Sequence, residues 1–228
     1  MPNRRFLICL LALVPLAASA QSPAEVDRSA GNLMVVLRES IGAPARKSET
    51  FEYMGKSKAR LKSGEEVEIE AAHYAYLGDM HIRFVFDGPT TMINATPKEL
   101  ESLHLGKPEE ALRVAVANMR RVYGAPKATV LAGAIMQLES GSPDLNSSYF
   151  LDKAFWTELH KKHPEGIIAA VPERGALLFT PLSDWRSVDV LRSKIAYLHT
   201  SSERLRVSSA LYLFKDGGWT LFQEPARQ

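Results

Sequence analysis

Cysteine is nearly absent from this sequence: the only one among 228 residues is Cys9, inside an N-terminal apolar stretch. Once that stretch is removed, disulfides, thiol nucleophiles and thiolate metal sites are all excluded. A surplus of one charge is also missing. Lys and Arg number 28 against 26 acidic residues, and removing residues 1–20 takes away Arg4 and Arg5, leaving 26 of each sign. The whole-chain pI of about 8.6 therefore owes its basic side to the N-terminus. No global field remains to draw the chain to nucleic acid or to an anionic membrane.

Long hydrophobic runs are lacking too. The longest, Phe6 to Ala17, is interrupted by Pro15 and falls short of the roughly 20 apolar residues that span a bilayer. The sequence contains no His-Glu-x-x-His, no Gly-x-Ser-x-Gly and no calcium-binding loop. Gly55-Lys56-Ser57 imitates the end of a phosphate-binding loop, but Thr50 stands where that loop needs glycine. His160 and His163 share a helical face without an adjacent carboxylate, beside Lys161 and Lys162. A helix end, where cations suit the dipole, explains them better than zinc. Neither a metal site nor a cofactor is expected.

The N-terminus itself is informative. Arg4 and Arg5 precede the apolar run, and Ala18-Ser19-Ala20 supplies small residues before Gln21. This order is that of a cleavable secretory signal over residues 1–20. Cys9 lies in the middle of the run rather than at its end, where a lipid anchor would need it. The expected product is a periplasmic or secreted chain with no stable membrane anchor. Its 208 residues can bury a sizeable core without staples. They form one domain over 21–228, or two lobes dividing near residue 105.

Along the mature chain, Val26, Ala30, Leu33, Met34, Leu37 and Ile41 follow helical spacing up to Gly42 and Pro44. Residues 43 to 64 read as a polar loop. Residues 67 to 77 alternate as one strand, and Met80 to Phe86 as a second. A two-residue Gly78-Asp79 loop would pair Leu77 with Met80 and Ala75 with Ile82 on an apolar face that also holds His73. The opposite face would then bring Tyr74, Tyr76, His81 and Arg83 together. Tyrosine and arginine are enriched where proteins bind partners, so these four residues form the candidate binding surface.

Thr96-Pro97-Lys98-Glu99 has the form of a capping box, and Pro108 begins a longer helix that ends at Gly124. That helix carries Arg113, Arg120 and Arg121 with Glu109 and Glu110, which reads as a solvated face. A buried strand is expected over 128–139 and another over 147–151. Asp152 caps the helix bearing Trp156. Strands at 166–171 and 176–180 flank Pro172-Glu173-Arg174-Gly175, a helix follows around Val188 to Leu198, and Ala210 to Phe222 closes as a hairpin. Without strict βαβ alternation, the fold class is α+β, a largely antiparallel mixed sheet with packed amphipathic helices.

Pro108-Glu109-Glu110-Ala111-Leu112 with Asn118, Asp152 with Trp156, the Ala170 to Phe179 stretch and the Leu211 to Trp219 ending are short motifs. Through them residues 97–222 resemble the bacterial YtpQ-like family, a domain of unknown function. The family often carries an acidic residue after the arginine, where this chain has Gly175. The resemblance implies a fold and brings no activity. The sequence thus points to a non-enzymatic exported domain that binds a protein or a small molecule. A hydrolase-like periplasmic enzyme, with its site assembled from distant residues, is the alternative.

Overall fold

The computed structural model describes residues 26–60 and 63–226. The secretory signal expected over residues 1–20 lies outside the described residues. The first described segment overturns one expectation. In place of a helix, the chain makes a 3-10 turn at Ala30–Asn32 and then strand β1, Leu33–Glu39. Leu33, Met34, Val35, Val36 and Leu37 are all buried. An apolar run rich in β-branched residues favours a strand wherever both of its faces can be covered. The helical spacing was accidental, and Ile41, its last member, is 77% exposed.

The fold is α+β, and every pairing between its strands is antiparallel. The strands form two main sheets rather than one mixed sheet. In the first, β1 pairs with β6 (Met80–Phe86), β6 with β5 (His73–Ala75), and β5 with β2 (Glu52–Tyr53), while β7 (Ile93–Asn94) also joins β6. The long strand expected over 67–77 is broken. Its first part is β4 (Glu66–Ile69), which pairs with β3 (Ser57–Arg60) in a separate ribbon. Lys58 lies opposite Glu68 and Arg60 opposite Glu66, so this basic stretch meets its counter-charges across the ribbon.

The second sheet runs β13 (Gly218–Gln223), β12 (Leu211–Lys215), β10 (Ile167–Glu173), β11 (Ala176–Pro181), β9 (Ile135–Glu139), β8 (Lys127–Ala132). A turn at Gly133 splits the strand expected over 128–139 into the hairpin β8–β9. The whole of edge strand β8 is exposed, with Val130 at 70% and Leu131 at 55%.

Helix α1 (Pro97–Ser102) begins with the capping box of Thr96 and Glu99. Helix α2 (Pro108–Tyr123) stops at Gly124, whose φ is 82°. Asn118 of α2 donates from Nδ2 to the carbonyls of Ala30 and Leu33 and ties the helix to β1. A 3-10 helix occupies Pro143–Leu151, where a strand was expected, and leads into α3 (Lys153–Lys162), capped by Asp152. Helix α4 (Trp185–Ser201) covers one face of the second sheet, setting Val188, Leu191 and Ile195 against Ile168, Ala170 and Leu178.

The other face of that sheet joins the first sheet in one continuous apolar cluster, from Leu33 and Phe84 to Phe179, Tyr212 and Trp219. Trp156 sits in its middle, edge-on to Phe155, Phe179 and Trp219. The sheets are also stitched by the segment before β2. Arg46 exchanges backbone hydrogen bonds with Gly78, Leu221 donates to the Lys47 carbonyl, and Ser48 bridges to Thr220.

Candidate functional site

The site begins with the loop between β5 and β6. Met80 N donates to the Leu77 carbonyl, and Tyr76 N donates to the Met80 carbonyl, each at 3.0 Å. The connection is therefore three residues, Leu77-Gly78-Asp79, with Gly78 in the left-handed region at φ 58°. A Cβ on Gly78 would come within 2.5 Å of the Tyr212 hydroxyl, so the adjoining sheet also demands glycine there.

The extra loop residue shifts the register by one. His73 faces Arg83, Tyr74 faces Ile82 and Ala75 faces His81. Because side chains alternate along a strand, such a shift turns β5 over relative to β6. The expected grouping of Tyr74, Tyr76, His81 and Arg83 is accordingly split. Tyr74 and Tyr76 join the side of Ile82 and Phe84, where Tyr74 meets the Phe84 and Tyr53 rings. Tyr76 is fully buried and its hydroxyl donates to Glu49. His81 and Arg83 lie on the opposite side with His73, and the two imidazoles stand edge to face. His81 is only 5% exposed.

The side that keeps His81 and Arg83 gains a different neighbour. β1 sets Arg38 opposite His81 and Val36 opposite Arg83, so Arg38 and Arg83 are diagonal neighbours on one face. A third arginine arrives from the second sheet. Arg174 sits in the β10–β11 turn, its backbone N donating to the Leu205 carbonyl and its carbonyl accepting from Ser147 N, both at 3.1 Å.

These three guanidiniums feel one another. Burial, and then the charges of Arg174 and Arg83, lower the Arg38 pKa to about 10, with Asp144 opposing the shift. Burial and then Arg174 also lower Arg83. Arg38 still remains charged at neutral pH. Among the described residues no carboxylate forms an ion pair with any of the three. The Nε atoms of Arg83 and Arg174 are buried without a hydrogen-bond partner.

His81 adapts to this field. Its Nδ1 lies 3.0 Å from Ser40 Oγ, and its Nε2 lies 3.3 Å from an Arg83 terminal nitrogen. A guanidinium can only donate, so Nε2 accepts and Nδ1 carries the proton that Ser40 receives. Burial, followed by the charges of Arg83, His73 and Arg38, pushes the His81 pKa down to about 3. The imidazole is neutral in the folded protein.

Arg38 and Arg174 open onto a cleft of about 460 Å³ that also contacts Val36, Tyr123, Ser142, Asp144 and Leu205. Rigid guanidinium forks in a partly desolvated cleft are suited to carboxylate or phosphate, which they can grip with paired N–H donors. Arg83 stands behind this pair and adds charge without lining the cleft.

Other polar groups serve the structure. Ser208 Oγ, fully buried, donates to Asp79 and accepts from Ala210 N, and the Tyr212 hydroxyl also reaches Asp79. Among the described residues no histidine hydrogen-bonds to this cluster, although His199 lies near enough to act on Asp79. Arg120 pairs with the buried Asp152, and Arg121 donates to the Gly31 carbonyl, so two of the three α2 arginines are engaged. Among the described residues no group of three His, Cys, Asp or Glu side chains is placed to hold a metal ion.

Of the residues of this site, sequence reasoning selected His81 and Arg83 but not Arg38 or Arg174. Arg38 closes an apolar run that was read as helix, although a lone charge ending such a run was a usable signal. Arg174 was legible only as a turn residue. Compared with protein families, curated proteins and solved structures, the chain matches none.

Proposed function

We propose that the protein is a non-enzymatic exported binding domain whose arginine cleft takes an anionic ligand. One observation carries this reading: Arg38 and Arg174 meet in one cleft from two sheets with Arg83 behind them, none of the three has an ion-pair partner among the described residues, and the Arg174 Nε is buried unpaired. More than nine in ten buried polar groups in native proteins are hydrogen-bonded. Like charges brought together are costly, and a bound anion relieves that cost. The hydrolase alternative draws less support, because the described residues that line the cleft present hydroxyls but no histidine to activate them. Residues 1–20 support the exported setting through their signal pattern.

The test is calorimetric titration of acetate and of phosphate at low ionic strength. Saturable binding of at least one is expected, weakening as salt screens the cleft and lost in Arg38→Ala. Absence of binding by both anions, or identical binding by the variant, refutes the reading.

A further inference from the structure

The same cleft also carries negative charge. Asp144 lines it from the first turn of the 3-10 helix, and Asp87 lines it from the end of β6. Asp87 accepts a hydrogen bond from the Tyr123 hydroxyl. Asp144 forms no ion pair and no side-chain hydrogen bond among the described residues. Opposite charges thus share one cavity without reaching each other, since neither Arg38 nor Arg174 comes within the 4.0 Å of an ion pair with either aspartate. Apolar surface from Val36, Met92 and Leu205 lies in the same cleft.

A dianionic ligand would meet repulsion from Asp144 and Asp87. A ligand with a charge of each sign would meet both sets of side chains favourably. From this juxtaposition we infer that the ligand is a small zwitterion of the amino-acid or short-peptide class, with its carboxylate on Arg38 and Arg174 and its ammonium against Asp144. This rests on the anion-binding reading. The Arg forks can hold a carboxylate through two parallel N–H donors, and a carboxylate such as Asp144 can accept from all three donors of an ammonium in turn. A cleft of about 460 Å³ falls in the size range of small-ligand sites, about 300–1,000 Å³.

The probes are trialanine, N-acetyl-trialanine and inorganic phosphate, titrated calorimetrically into the wild-type chain, Asp144→Asn and Arg38→Ala. Asp144 is exposed, so its conservative variant should keep the wild-type melting temperature, and that is checked first. Trialanine should bind the wild type at least tenfold more tightly than its N-acetyl form. Asp144→Asn should erase that difference by weakening trialanine alone, and Arg38→Ala should abolish binding of both peptides. Equal affinity of the two peptides for the wild type overturns the zwitterion inference. So does Arg38-dependent binding of phosphate without binding of trialanine, an outcome that leaves the anion-binding reading standing. If Arg38→Ala binds every probe as the wild type does, both readings fall.

Discussion

Neutral His81 gives the fold a calculable sensitivity to acid. In the unfolded chain the imidazole titrates near 6.5, and in the folded protein its pKa is about 3, lowered by burial and by Arg83, His73 and Arg38. Between these values the unfolded state binds the proton and the folded state does not, so stability rises with pH across the window. The contribution is complete above the unfolded pKa and is lost as pH falls below it. By pH 5 the linkage relation gives a loss of about 2 kcal/mol from this one residue.

Replacing His81 by Gln removes the titration while keeping a polar side chain between Ser40 and Arg83. Urea denaturation of both proteins at pH 8 and pH 5 then isolates the effect, because every other side chain is common to the two. The variant carries a constant penalty for altered packing. The wild type alone should lose the additional ~2 kcal/mol between the two pH values, so the gap between the proteins narrows on acidification. A gap that changes by less than about 0.5 kcal/mol, the usual error of additivity, would mean that His81 is solvated or compensated. The assignment of neutral imidazole beside Arg83 would then be wrong.

Gly78→Ala should destabilise by about 3 kcal/mol, combining a left-handed alanine with displacement of the buried Tyr212 hydroxyl. Urea midpoints check this, and a loss below about 0.5 kcal/mol would refute the close approach of the two sheets there. Arg120→Ala leaves Asp152, 2% exposed, with its helix-cap hydrogen bond but without its ion pair. A cost of about 1–3 kcal/mol in thermal or urea unfolding is expected at pH 7, and an unchanged melting temperature would show the pair to be inconsequential. The exported protein should begin at Gln21 by intact-mass measurement, and a retained Met1 in the exported fraction would contradict a cleaved signal.

What could be read from the sequence was mostly local. Thr96, Asp152 and Gly124 announce helix ends because a cap is decided by the few residues around it. The β10–β11 and β12–β13 hairpins were equally visible, each having its turn residues between two apolar runs. β1 was not visible, since Leu33 to Leu37 fit either a helix or a doubly covered strand, and only the partners decide. The hairpin register failed for a related reason. Gly78-Asp79 suits a two-residue loop on local grounds, yet the chain uses three residues, with Gly78 packed against Tyr212 of the second sheet. The cleft stayed hidden because its two arginines come from β1, read as helix, and from the β10–β11 turn, and share no local pattern.

The backbone stitch from Lys47 and Ser48 to Leu221 and Thr220 has a consequence for the order in which the chain assembles. It joins a segment near the start of the described chain to its last strand, and β13 reaches the rest of its sheet only through β12. Contacts that close so long a loop form late and slow the search for the native state. Until residues 218–223 are available there is no β13 with which to make this closure, so the seam waits for that strand. The hairpins within each sheet can therefore form ahead of the seam that joins the sheets.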